Sequence, residues 1–579
     1  FESCILNKRF DMSSPVLSFP AADRQQWQDI VAKALKGVSA DSLHRIDEDG
    51  LDIAALYQVE PAADISSGQV PIHRLTANPA QRLAYGWRVC QPVDGGGKAD
   101  EVNGKILDEL TGGATGVYLS FGPVSAPDLE QMLHNVVLGA ADIMIDAGPH
   151  IGHVLGAFET LLQGQNKTLS DIGLDLAIDP FAPQSDASLL EDGLGVLCRT
   201  DARQIPHGVF RLNGWQWHNQ GMSQVQELAY LLAATTQIFR SGMAAGLSAA
   251  QIAPKTSMCI ALPADLFDGI AKCRAIRRGW AGLVTALGLD ADSCRLQLQA
   301  LPSLRMFSLA DADINMLRTT TALLGGAIGG ADIMTAFAHD ELTGASPMGR
   351  RLARMQQIMM IEESGLGRSL DAAGGAAFIE ARSDALAEAA WAAFQDIEAS
   401  GGAAAAQSDQ RFAAMAEAAA TKRNKEFAAG ALPMLGVTLQ PDGQPVGDLI
   451  PRWQAVSRPA AVIEAIRRQT ALNPPRILIL QQGGADISKL QAVRRVLQIG
   501  GMSAVHLTLP LDQPDAVTTA RPAIVVLLDM EIDALDPAIQ AQLDLSLLAG
   551  GIFMADDILK SEAQIAWLIT LADMTKEPN

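Results

Sequence analysis

The sequence predicts an α/β protein: a closed (β/α)8 TIM barrel followed by a shortened, flavodoxin-like α/β domain. Three observations predict it. Short β-rich runs recur at 85–91, 115–121, 141–147, 174–180, 208–214, 257–263, 295–301 and 331–337. Helical patterns, among them 128–138, 223–245, 266–287 and 310–324, lie between most of them, and strands alternating with helices pair in parallel through right-handed crossovers. Eight such units within about 250 residues close into a barrel. After Pro475, the apolar runs RILILQQ, SAVHLTLP and AIVVLLD alternate with helices near 487–497 and 537–548, the pattern of a small doubly wound sheet. That last unit is one βα repeat shorter than a full version.

Taken in order, residues 1–70 form an extension with no core of its own. A helix is expected at 24–35 with Trp27, Ile30, Val31 and Leu35 inward, and Leu51 and Tyr57 add an apolar knot. The barrel and its C-terminal helices occupy 71–430. Its first βα turn, QPVDGGGK, is glycine-rich but lacks GxGxxG spacing, so a dinucleotide fold is not expected. Near the end of this region Leu352, Met355, Ile358, Met359 and Glu362 fall on one helical face. Gly365 and Gly367 stop that helix, Asp371–Gly375 turns the chain, and a second helix carries Leu386, Ala389, Ala390, Ala393, Phe394 and Ile397 on one stripe. An alanine-rich helix is expected over 403–429. Residues 431–474, rich in proline and glycine at first, read as a linker, and 475–579 as the small α/β domain.

Composition narrows the function. The formal charge of −21 and the lack of a lysine or arginine cluster argue against a nucleic-acid track. Six scattered cysteines without a CxxC read as reduced thiols, and a cytoplasmic location is expected. The opening FESCILNKRFDMSS has no charged n-region followed by an apolar run, so it does not read as a secretory signal. Residues 1–11, ahead of Met12, read as an added or misassigned start.

Few residues suggest chemistry by themselves. His150 and His153 have HxxH spacing in a glycine-bearing loop, with Asp146 the only near acid, so a metal site is not expected. Asp146 and Asp179 end barrel strands on the face where barrel enzymes work. With His218 they make an alternative reading, a hydrolase or lyase barrel, although helix capping explains such aspartates more simply. Arg274, Arg277 and Arg278 on one helix read as a solvated face.

The wording of 350–402 is more specific than its periodicity. Gln357, Glu362, Glu363, Ser364, Gly365, Arg368, Asp371, Gly374, Gly375, Glu380, Trp391, Phe394, Glu398, Gly401 and Gly402 stand where a fixed pattern is matched. The segment resembles the adenosylcobalamin-dependent methylmalonyl-CoA mutase family. The resemblance implies a substrate barrel and a C-terminal cobalamin domain, in which Asp-x-His-x-x-Gly supplies the histidine that ligates cobalt. Here the corresponding stretch is Gln482-Gly483-Gly484-Ala485-Asp486-Ile487-Ser488, without a histidine, and His506 is the only one beyond Pro475. In the barrel, Trp87 and Gln91 match the family's first strand but Pro92 replaces its tyrosine, and Gln216 stands for the substrate-binding histidine, with His218 two residues on. The His-Thr-Asn near strand eight has become Thr335-Ala336-Phe337, and the loop after strand two, Phe121-Gly122-Pro123-Val124, lacks the family's aspartates.

The family includes heterodimers in which a smaller homologous chain keeps both domains and neither site. The resemblance therefore implies that smaller, non-catalytic chain: no catalytic, cofactor or metal residues of its own, and adenosylcobalamin and acyl-CoA on a larger partner. A mutase-associated chaperone-like module is the other alternative. Residues 17–70 are then the candidate arm around the partner.

Overall fold

A computed structural model describes residues 23–58, 76–121, 128–146, 148–186, 188–199, 208–446, 453, 455–483, 486–509, 517, 520, 522–530, 535–537, 539–540, 543, 552–560 and 564–574. They form two compact units, divided after Gln58. The first contains α1 (Arg24–Ala34) and a two-stranded antiparallel ribbon, β1 (Arg45–Ile46) with β2 (Asp52–Ile53). Asp23 caps α1 in a capping box with Gln26. Contrary to the amphipathic expectation, α1 buries no residue, and Ile30 is 66% exposed.

The second unit begins with α2 (Pro79–Tyr85), which starts at a proline behind the Asn78 cap. The barrel alternates β3 (Arg88–Asp94), α3 (Ala99–Thr111), β4 (Gly116–Ser120), α4 (Leu129–Met132), β5 (Asp142–Asp146), α5 (Ile151–Gly164), β6 (Gly173–Ile178), α6 (Ser188–Cys198), β7 (Gly208–Asn213), α7 (Gly214–Gln220), α8 (Gln224–Ala244), α9 (Ala249–Ile252), β8 (Thr256–Leu262), α10 (Leu266–Ala286), β9 (Gln297–Pro302), α11 (Ile314–Ile328), β10 (Ile333–Met334) and α12 (Pro347–Glu362). All eight strands from β3 to β10 pair in parallel, and β10 closes on β3 through Ile333–Arg88 and Met334–Val89. The predicted (β/α)8 barrel is therefore the observed one. The helix expected over 128–138 is only the single turn α4.

The lumen is filled, as a closed eight-stranded barrel requires. Arg211 on β7 pairs with Asp175 on β6 and donates to Gln299 at 2.7 Å, and Gln299 donates to Thr335 at 2.9 Å. Register between β6 and β7 shifts between Asp175 and Ile178, where Ala177 takes φ of +46°. This irregularity comes just before Asp179, at the end of β6.

Behind the barrel stand α13 (Ala377–Ala399), α14 (Gly402–Ser408) and α15 (Arg411–Ala428). The single alanine-rich helix expected over 403–429 is broken at Gln410, which adopts φ of +56°. Next comes α16 (Ala461–Leu472), followed by β11 (Ile477–Gln482), α17 (Ile487–Ile499), β12 (Ala504–Leu509), β13 (Ile524–Leu528), β14 (Ile552–Met554), α18 (Ala555–Leu559) and α19 (Gln564–Asp573). The sheet order β12-β11-β13-β14 is parallel throughout, as in a flavodoxin-like unit.

Barrel and sheet share a core. Phe427 of α15, Val437, Val446 and Ile463 pack with Ile477, Ile479, Val526 and Leu568. A buried ion pair at the start of α16 is tied across the same boundary. Glu464 on α16 takes two hydrogen bonds from Arg458, at 2.6 and 2.8 Å, and accepts the Leu309 N–H at 2.8 Å.

Gly349, Ala353, Arg354, Gln357 and Met360 of α12 face inward. Of the apolar face that its spacing marks, Leu352, Met355 and Met359 are 36–46% exposed and Ile358 is half-buried. The inward polar residues have long-range partners that no local pattern reveals. Gln357 accepts from the Trp87 indole at 3.1 Å and donates to Gln91 at 3.0 Å, and Arg354 pairs with Glu109 and donates to the Gly112 carbonyl at 2.9 Å.

Candidate functional site

Catalytic groups in a barrel of this kind gather where the strands end, so the C-terminal mouth is the place to look. A cavity of about 110 Å³ lies there, lined among others by Pro92, Tyr118, Asp146, Gln216, Phe337 and Trp453. Three aromatic rings close much of it. Trp215 stacks on Phe337 with ring centres 5.4 Å apart, and Trp453, from the segment leading to the sheet, meets both edge-on at 5.8 and 6.1 Å. The Trp453 indole donates to Glu341 at 3.2 Å, and that of Trp215 to the Pro302 carbonyl at 2.9 Å. Both tryptophans are thus fixed by packing on one side and a polar tip on the other.

Asp146, Asp179 and His218 do not converge on this cavity. Asp146 lines it, at the end of β5, with the Tyr118 hydroxyl 3.5 Å from its carboxylate. Burial pushes the Asp146 carboxyl up to about 6; the Gly148 N–H acts against that shift, and the charge of Asp179 adds to it. Asp179 is spent on backbone and hydroxyl donors: it accepts from Asn213 N–H and the Tyr230 hydroxyl at 2.6 Å each and from Phe181 N–H at 2.9 Å. Burial still raises it to about 6. Asp179 is not a helix cap, as the simpler expectation had it: Asn213 caps α7, and Asp179 ties the loop after β6 to β7 and to Tyr230 of α8.

His218 sits on α7, directly after the strand, and is 1% exposed. Its Nε2 is 2.9 Å from the Ser303 hydroxyl. Its Nδ1 lies 2.9 Å from Glu227, but off the direction that a hydrogen bond needs. Glu227 itself pairs with Lys272 and accepts the Ala261 N–H at 2.8 Å, and Lys272 also donates to the Ala261 carbonyl at 2.8 Å. Burial, reinforced by Arg305, Lys272 and Arg423, holds the imidazole well below its usual range. The order serine, histidine, carboxylate resembles a hydrolytic triad, yet every member is buried and none lines the mouth. It braces α7 and α8 against the loop after β9.

The arginines also differ from expectation. Arg274 and Arg277 are buried rather than solvated. Arg274 pairs with Asp371 and with Glu380 at 2.8 Å, which explains the turn of 371–375, and Arg277 pairs with Asp332 at 2.8 Å. Only Arg278 is exposed, paired with Asp384. Among the described residues no group of three or more His, Cys, Asp or Glu is arranged to hold a metal.

In the C-terminal sheet, the ligand position of a flavodoxin-like fold lies at the strand ends between β11 and β13. Asp486 there caps α17, accepting from Ser488 N–H at 2.8 Å. Lys489 bridges Asp529 at 2.5 Å and Asp556 at 2.6 Å. His506 lies within β12 and is bonded to the Gln481 side chain at 2.8 Å; burial lowers its pKa. Among the described residues, the side chains at this edge offer carboxylates and an ammonium, and His506, on the neighbouring strand, is engaged with Gln481, so they do not fit a metal that an imidazole would have to hold.

A closed parallel barrel joined through a shared core to a doubly wound parallel sheet, with aromatic rings packed at its mouth, defines a two-module α/β scaffold. The methylmalonyl-CoA mutase family model matches residues 203–446. A probable methylmalonyl-CoA mutase small subunit of Mycobacterium tuberculosis is 31% identical over 519 residues, covering 83% of each chain. The small subunit of Streptomyces virginiae is 29% identical over 542 residues, 87% of each chain, and that of Propionibacterium freudenreichii subsp. shermanii 26% over 448 residues, 72% of this chain and 69% of the relative. The chain belongs to the methylmalonyl-CoA mutase family.

Proposed function

We propose that this chain is the small, non-catalytic subunit of an adenosylcobalamin-dependent methylmalonyl-CoA mutase. It supports the interconversion of methylmalonyl-CoA and succinyl-CoA on a larger homologous chain in the cytoplasm. The observation behind this reading is the barrel mouth, where Trp215, Phe337 and Trp453 pack on one another and leave a cavity of only about 110 Å³. The polar groups nearby agree with it. Pro92 and Gln216 line the cavity where the family's tyrosine and histidine would stand, and His218 is held neutral outside its lining. The missing imidazole after Gln482 supports placing the cofactor on the partner. Names of the relatives, which are small subunits, support a partner of another kind. Residues 1–70 serve in this reading as an arm, 71–430 as the barrel, 431–474 as a connection and 475–579 as a cobalamin-type domain without its ligand.

The test is co-expression with the larger mutase chain of the same source. A one-to-one complex with mutase activity is expected, weakened when residues 17–70 are deleted. The small chain alone, mixed with adenosylcobalamin and desalted, is expected to lose the visible absorbance. Stoichiometric retention of the cofactor, or turnover by the lone chain, would sink the reading.

A further inference from the structure

The carboxylates of the barrel strands are matched by partners, and Asp146 departs from that pattern. Asp142 pairs with Arg88 at 2.8 Å, and Asp175 pairs with Arg211. Asp179 has no cation but takes three short hydrogen bonds. Asp146 has neither. Among the described residues its contacts are the Tyr118 hydroxyl, at a long 3.5 Å, and the Gly148 N–H. A half-buried carboxylate matched so poorly costs free energy, and this one lines the cavity at the barrel mouth.

The rest of the lining decides what would match it. Tyr118, Trp215, Phe337 and Trp453 contribute aromatic rings, and Ser120 and Gln216 add a hydroxyl and an amide. A carboxylate among aromatic rings suits a cation, which is attracted by the charge and by the ring faces together. Magnesium or calcium needs about six or more oxygens, and among the described residues no group of three or more His, Cys, Asp or Glu is arranged to hold a metal. An anion would face the charge of Asp146 itself. Two of the chain's own cations also line the cavity, Lys105 and Arg350. Arg350 is engaged by Glu109 at 3.4 Å and by the Ala345 carbonyl at 2.8 Å. Of the charges that act most on Asp146, the one cation is Arg211, already held by Asp175 and Gln299.

We infer that the barrel mouth binds a small primary ammonium ion, with its charge on Asp146 and a short apolar group against the aromatic rings. An ammonium carries three N–H donors, and Asp146, Tyr118, Ser120 and Gln216 all bring oxygens to the lining. The cavity, about 110 Å³, limits the apolar group to a few carbons, well below the ~300 Å³ at which drug-sized ligands begin to fit. The proposal goes beyond the subunit reading and stands or falls without it.

The experiment is calorimetric titration of the full chain with propylammonium chloride at pH 7.5, beside sodium propionate and sodium chloride at the same ionic strength. Saturable binding at one site is expected with propylammonium and none with either sodium salt. Asp146→Asn keeps the size of the side chain and is expected to bind about 10-fold or more weakly, the loss of a hydrogen bond to a charged group. Propylammonium is also expected to raise the melting temperature of wild type and to leave that of Asp146→Asn unchanged, a second readout on the same pair. Equal affinity of wild type and Asp146→Asn, binding of propionate as strong as that of propylammonium, or no saturable heat in the millimolar range would each overturn the proposal. All three results would leave the subunit reading intact.

Discussion

Asp146 shows how one residue can look catalytic for a purely energetic reason. Its carboxyl is pushed up to about 6 because burial penalises the charge, as burial does in many active sites. The protein therefore carries an unfavourable charge at neutral pH. Because the folded pKa lies above the unfolded value of 3.8, the folded state binds the extra proton between about pH 4 and 6, and stability tends to rise as pH falls through that window. Asp146→Asn removes the charge and keeps the size. It is expected to be more stable than wild type by about 1–2 kcal/mol at pH 7.5, from roughly two units at 1.36 kcal/mol each, reduced because the group faces the cavity. At pH 4 the two proteins are expected to coincide. Urea unfolding at both pH values measures it. His218 has the opposite sign: its folded pKa is depressed, so its contribution is present above about pH 6.5 and is lost as the medium becomes more acidic.

Among the elements, the barrel strands were legible because strands covered on both faces read as near-continuous apolar runs. The family's wording at 350–402 was legible too. What it meant mechanically was not. Gln357 and Arg354 are polar, and only their partners Trp87, Gln91 and Glu109, more than 240 residues earlier, make the inward direction of α12 sensible. Periodicity located that helix and its apolar face but not the direction of that face, because an apolar stripe on the surface and one toward the core have the same spacing. Pro92 and Gln216, which the sequence singled out, both line the cavity at the mouth. The closing role of Trp453 was hidden, since it comes from a stretch that reads as connection. The break between α14 and α15 was hidden as well, because alanine propensity runs through it. There Gln410 holds a left-handed conformation that glycine adopts without a Cβ clash. Gln410→Gly is expected to be neutral or to stabilise by about 0.5–1 kcal/mol, whereas glycine at exposed Ala414, inside α15, is expected to cost about 1 kcal/mol. Thermal melts of both variants check the pair.

For the whole molecule, the decisive connection is between barrel and sheet. Glu464 neutralises Arg458 and holds the Leu309 N–H in a buried position. Removing one member of such a pair leaves a buried charge uncompensated and costs about 3–5 kcal/mol. Glu464→Ala is expected to split the calorimetric melt in two, with the sheet unfolding first and the barrel near its original temperature. A single transition shifted as a whole would show that the shared core around Phe427 and Ile463 couples the modules without the ion pair.

The bridge from Gln357 to Trp87 and Gln91 has a consequence for how lineages are read. A residue that holds two segments of a frame together remains necessary for as long as the frame is used, whatever reaction the frame once served. A residue that touches a substrate is free to drift as soon as another chain takes over the work. Time therefore erases the two kinds of position at different rates, and an old duplicate keeps the marks of its construction longest. The residues by which this chain shows its ancestry are joinery.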